Sequence, residues 1–292
     1  MPTHAAPPAL SGLRVLTAAA QTARPLGGRA LAPPLAKMEA TNPAAREAPA
    51  DMAGRRNAEL LKKLNPAWSG GALSADGTKE MLRALRHGSD QEASEKAVEL
   101  LNRGVSPASL WDAVFQQCGE LLMRKPGIVT LHASTTANAL HYAFGQTSSD
   151  ETRRFLLLQA VAFATSFRDR GEAKEGILIE DLQAATVPPN PAEALQAIFE
   201  LTGKDNAGAA ARTLALLRSG DHASGFAGAA QRLIYLKGTD SHDYKFSSAV
   251  FEDYRHVSPG LRDAFLAASN YWLKGSSLPD SPLVARTRQA LG

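Results

Sequence analysis

The chain has 292 residues, of which 44% are hydrophobic and 21% charged, enough to fold around a substantial core. A net charge of +3 is too small to mark a nucleic-acid binder, and the single cysteine, Cys118, excludes a disulfide framework and any cysteine-rich zinc or iron–sulfur site. Aromatics at 6% are few for a β-sandwich, and no apolar run of about 18 residues exists to span a membrane as a helix.

The first fifty residues differ from the rest. They hold eight of the seventeen prolines, and no Asp or Glu precedes Glu39, whereas Arg14, Arg24, Arg29 and Lys37 are basic. Such a stretch buries too little surface to offset its ordering entropy. It reads as a disordered tail, or as a start placed ahead of Met38 or Met52. A basic, acid-poor organellar leader is the alternative, although serine is scarce and the prolines interrupt any long amphipathic helix. A cytoplasmic location is the expectation.

From Asp51 onward the pattern is helical. Asp51 is placed to cap a segment running to about Leu64. Asp76 precedes KEMLRALRHG, with Met81, Leu82 and Leu85 on one face and Gly88 as the stop. Ser89 and Glu92 have capping-box spacing, and Gly104 ends that helix. Ser106-Pro107 opens the next, with proline at its first position, running through Trp111, Phe115, Cys118 and Leu122 toward Pro126. In that apolar stripe Cys118 reads as a small buried hydrophobe. A further helix covers about Val129 to Phe144.

Ser149 caps ETRRFLLLQAVAFATSFRD. Between Phe155 and Phe167 only Gln159, Thr165 and Ser166 are polar, which predicts a central helix surrounded by others. After a loop, helices follow near 191–203, 206–219, 221–236, 241–254, 258–273 and 280–291. Ile177–Ile179 could form a short strand, but no partner for it is visible. The expectation is an all-α chain: a disordered leader over 1–50 and one multi-helix bundle over 51–292.

The common catalytic signatures are missing. GxGxxG, GxxxxGK[ST], HExxH and GxSxG do not occur, so neither usual nucleotide cradle is present. Two segments are unusual for bundle helices. One is the run from Gly127 to Phe144, which carries His132, Thr135, Asn138 and His141 among small residues. His132 and His141 stand nine residues apart and point roughly oppositely on a straight helix, so one metal cannot take both unless the helix kinks. The other is Gly238–Ala249, where Asp240 or Ser241 caps a helix whose first turn holds His242, with Lys245 three residues on. A histidine followed at i+3 by a second ligand is how helical bundles build internal metal sites. A lysine buried beside a cation loses its proton readily, and the neutral amine can act as a base or combine with carbon dioxide as a carbamate ligand. The plainer reading has His242 bonded to its cap, and Asp243 and Lys245 in solvent.

The runs LHASTTANALHYAF, ETRRFLLLQAVAFATSFRD and DSHDYKFSSAVFEDY, in that order, resemble the questin oxidase-like proteins over Leu131–Asp169 and Asp240–Tyr254. The resemblance implies an all-helical oxygenase acting on apolar, polycyclic aromatic substrates. It also implies a non-haem iron held by histidines and a carboxylated lysine. By position, His132 matches the first helix histidine, while His242 and Lys245 match the later motif. This chain departs at the second helix histidine, where Asn138 stands, and His141 or His222 would have to substitute. Glu120 is a further candidate, as a ligand, as a partner orienting a ligating histidine, or as a surface glutamate. His256 reads as a helix-dipole partner, and His4 and His87 as bystanders.

The resulting expectation is a metal-dependent oxidoreductase taking a small apolar substrate. His132, His242, Lys245 and His141 hold the metal, Lys245 and Glu120 carry the chemistry, and Thr135, Asn138 and Tyr244 line the pocket. The competing expectation is a helical scaffold or binding protein without metal.

Overall fold

Short polar side chains set where most helices begin. The computed structural model describes residues 49–171 and 176–292, and the predicted leader over 1–50 lies almost wholly outside them. In chain order the α-helices are α1 (Pro49–Leu60), α2 (Ala75–His87), α3 (Asp90–Asn102), α4 (Pro107–Arg124), α5 (Ile128–Gln146) and α6 (Asp150–Gly171). They continue with α7 (Pro191–Leu201), α8 (Asn206–Ser219), α9 (Ala223–Lys237), α10 (Ser241–Asp253), α11 (Pro259–Ala268) and α12 (Pro282–Leu291). No strand occurs among the described residues, so the fold is all-α.

The capping box of Ser89 and Glu92 forms, Pro107 stands at the start of α4, and Asp240 caps α10. Ser149 Oγ accepts the backbone N–H of Thr152 at the start of α6. One predicted cap is corrected: Asp51 lies inside α1. Helix α2 begins just ahead of Asp76, where Ser74 accepts the Gly77 N–H. The short strand that Ile177–Ile179 could have formed, for which the sequence offers no partner, is absent, and a tight 3-10 turn covers Ile179–Asp181. The extended contact that does form is a single parallel bridge between Ala72 and Val105. It brings the start of α2 against the start of α4. The close approach requires glycine at 71, because a Cβ there would stand 2.4 Å from the Gly104 carbonyl oxygen.

Helix α6 packs most extensively on α5 and also touches α1, α2, α3 and α4. Its middle is buried as predicted, with Leu157, Leu158, Val161 and Thr165 shielded from solvent, while Phe155 and Phe167 at its ends are half-exposed. It shares the centre with α4, which is buried without a break from Ser109 to Met123. Five of those buried positions, Ser109, Asp112, Gln116, Gln117 and Glu120, are polar. Helix α11 packs on α4 and on α8, which joins the later helices to the same core. Helix α10 lies on α5 and also packs on α9. No described helix is long and apolar enough to cross a membrane.

Candidate functional site

The seam between α5 and α10 brings His132 and His242 together, their ring centroids 5.2 Å apart and their planes at 70°. His132 comes from the second turn of α5. Its Nδ1 lies 2.6 Å from the Ile128 carbonyl oxygen one turn back. A carbonyl can only accept, so Nδ1 carries the proton, and in the neutral ring Nε2 keeps its lone pair. His242 sits in the first turn of α10. Its Nδ1 lies 3.2 Å from Asp240 Oδ1, the oxygen that also caps its backbone N–H at 2.7 Å. The same reasoning leaves its Nε2 free. The His242 backbone N–H, followed by its imidazole, holds the Asp240 carboxyl below the usual carboxylate range.

Lys245 does not complete this pair as an interior group. It is exposed. The buried stripe of α10 runs Asp243, Phe246, Ser247 and Val250, at i, i+3, i+4 and i+7. Lys245 falls on the opposite side of that helix, toward solvent. Asp243, expected in solvent, is instead 2% exposed and paired with Lys274 at 2.8 Å, while its other oxygen accepts the Thr239 N–H at 3.0 Å.

The remaining predicted positions separate. Thr135 is buried, and its hydroxyl faces the His132 carbonyl at 3.5 Å. Tyr244 is half-buried beside Tyr235, with its hydroxyl 3.5 Å from the Gly238 carbonyl. The Asn138 amide donates to Glu252 at 3.2 Å and to Asp253 at 3.0 Å, so it stitches α5 to the last turn of α10. His132 thus meets the first turn of α10 and Asn138 its last, which means the two helices run in the same direction.

His141 leaves the metal set. It rises about 13 Å further along α5 and packs on His256, Trp111 and Phe115 at centroid distances of 4.7, 4.8 and 5.2 Å. Burial among these rings, with the nearby His256 charge, lowers its pKa to about 4. His256 is therefore half of a second histidine pair as well as a residue near a helix end. Asp253, beside Asn138, is pushed up to about 8 by burial, with the Glu252 charge adding to the effect.

Glu120 is neither at the surface nor near the histidines in contact. Its carboxylate is fully buried, bonded to Arg86 at 3.0 and 2.5 Å, to Arg124 at 2.6 Å and to the Ile179 N–H at 3.1 Å. All its lone pairs are engaged, so it holds the 3-10 turn against α4. His222 stands at the start of α9, away from both pairs in contact. A cavity of about 760 Å³ opens elsewhere, between α2, α4, α8, α11 and the 3-10 turn, and neither His132 nor His242 lines it. The residue pattern gave no sign of it, because its walls come from well-separated segments.

Among the described residues, no group of three or more His, Cys, Asp or Glu side chains could hold a metal ion. No family model, curated protein or solved structure matches the chain.

Proposed function

We propose that this protein is a metal-dependent oxidoreductase whose ion, ferrous iron in the first place, is held by His132 and His242 at the α5–α10 seam. The observation that carries the reading is their 5.2 Å approach, with the Nδ1 of each ring facing an oxygen acceptor. Two imidazole nitrogens bound to one ion at about 2.0–2.1 Å each stand no more than about 4 Å apart, which rings at this spacing can meet. Outer oxygens that fix the tautomer and orientation of ligating histidines are a regular feature of metal sites.

The donor set fits a divalent ion through nitrogen, with Lys245 as a carbamate and solvent available for the other positions. Because Lys245 is exposed, such a carbamate would be held by the ion itself and not by burial. Iron, when bound, supplies one-electron chemistry toward dioxygen. The chain's own groups hold and orient: the Ile128 carbonyl and the Asp240 carboxylate fix the two rings. The likeness of the two histidine segments to the questin oxidase-like proteins supports an oxygenase and an apolar, polycyclic aromatic substrate.

The test is metal content after expression in iron-supplemented medium. About one ion per chain is expected, and its loss in both His132→Ala and His242→Ala with helicity retained. Less than a trace in the unmodified protein overturns the reading. A second reading, a helical scaffold without metal, is favoured by the exposure of Lys245 and by the lack, among the described residues, of a third acidic, cysteine or histidine donor. It predicts that trace result.

A further inference from the structure

We infer that the cleft between α2, α8 and α11 is a binding site for an amphipathic anion, an apolar body ending in a carboxylate or phosphate. This inference is independent of the histidine pair, none of whose atoms line the cleft.

The cleft is of ligand size, about 760 Å³. Its floor is apolar, with Leu82 and Ile179 buried and Leu261 half-buried. At its mouth Leu73 is 65% exposed, an apolar side chain left in water beside a ready-made apolar surface.

Its charge is unbalanced. Lys79, Leu82, Arg83 and Arg86 lie at i, i+3, i+4 and i+7 on α2 and so share one face, and Arg218 comes from the last turn of α8. Arg86 is neutralised by Glu120 and Glu180. The side chains of Lys79, Arg83 and Arg218 make no hydrogen bond or ion pair among the described residues. The cleft's two carboxylates cannot answer them. Glu180 is held by Arg86, and Asp112 accepts the Ser258 N–H at 2.8 Å and its hydroxyl at 2.6 Å. Two like charges one turn apart on a helix repel, and Glu80, whose carboxylate interacts with Arg83, is itself held by both terminal nitrogens of Arg103, so no carboxylate lining the cleft offsets them. An anionic head group does so, while the floor takes the apolar part. A neutral apolar ligand would leave the cations unanswered, and a small inorganic anion would leave the floor in water.

The test uses calorimetric titration with dodecanoate, dodecyl phosphate and neutral dodecanol, all below their aggregation concentrations. Saturable binding of one or both anions is expected, at least 10-fold tighter than dodecanol and weakened by salt. The relative affinity of the two anions tells which head group is preferred. Arg83→Gln/Arg218→Gln, at exposed positions where folding is undisturbed, should weaken binding at least 10-fold with unchanged circular dichroism. His132→Ala should bind as the unmodified protein does. Absence of binding, equal affinity for dodecanol, or full affinity in the double variant overturns the inference. Loss of binding in His132→Ala overturns it too, by placing the ligand at the histidine pair.

Discussion

The side-chain amide of Asn138 donates at 3.0 Å to a carboxyl of Asp253 that is 2% exposed. Burial raises that group from 3.8 to about 8, so the folded chain keeps a proton there that the unfolded chain releases. A raised folded pKa contributes stability that is complete below the unfolded value and is lost as pH rises through the folded one. His141 acts in the opposite sense. Its pKa falls from 6.5 to about 4, so its contribution is present above the unfolded value and is lost in acid. The two slopes, each at most about 1.4 kcal/mol per pH unit, oppose one another between about pH 4 and 6.5. Above that only Asp253 acts, and stability declines toward pH 8. Denaturant titrations across this range should show Asp253→Asn removing the upper decline and uncovering a rise below 6.5. Parallel curves for the two proteins between pH 6.5 and 8 would refute the assignment.

Asp240 uses one oxygen for two partners, the His242 backbone N–H and the His242 ring. Asparagine caps a helix about as well as aspartate, but its neutral oxygen supports the imidazole less. Asp240→Asn should therefore keep the helicity and thermal midpoint of the parent while lowering metal affinity by about 10- to 100-fold. Asp240→Ala should lose the same affinity and, in addition, about 1 kcal/mol of stability from the missing cap. Affinity is read by chelator competition with ferrous ion. An Asp240→Asn protein that binds as tightly as the parent would remove Asp240 from the site.

Local rules were legible along the chain. Ser89 with Glu92, Pro107 and the apolar run of α6 all rest on neighbours within one or two turns, so spacing alone reveals them. The meeting of His132 with His242 spans 110 positions, and residue type together with the likeness to a family pattern points to it. Where a partner lies far off and carries no pattern, the reading failed. Glu120 looks solvent-facing until Arg86, 34 positions earlier, is brought against it. The apolar Ile177–Ile179 run suggested a strand, yet the Ile179 N–H finds the Glu120 carboxylate in place of a neighbouring strand. His141 enters the metal set only as a substitute for the histidine that Asn138 replaces, whereas the helix carries it to His256.

Cys118 is 1% exposed, and burial pushes its thiol pKa well above the usual range, with the Asp253 charge adding to the shift. A thiolate is the reactive form. A disulfide reagent should therefore label the native protein only through unfolding, and should label one thiol per chain in denaturant, since there is a single cysteine. The labelling rate should rise with denaturant in step with loss of helicity. Rapid stoichiometric labelling of the native protein would mean that α4 is accessible and its packing misassigned.

Glu120 with Arg86 and Arg124 is a buried ionic triad on α2 and α4, with the arginine side chains only 11% and 10% exposed. Breaking a buried pair by removing one partner leaves an uncompensated charge and costs about 3–5 kcal/mol. Glu120→Gln keeps the shape and an acceptor for the Ile179 N–H but removes the negative charge. The expected cost lies at the low end of that range, because Arg86 retains Glu180. That corresponds to a fall in thermal midpoint of roughly 10 °C. Replacing all three with apolar residues of similar volume, as Arg86→Met, Glu120→Leu and Arg124→Met, should recover most of the loss, because the desolvation of the charges disappears with them. Metal content should be unchanged in any variant that folds. A Glu120→Gln protein with parental stability and no metal would reverse this account and return Glu120 to the metal site.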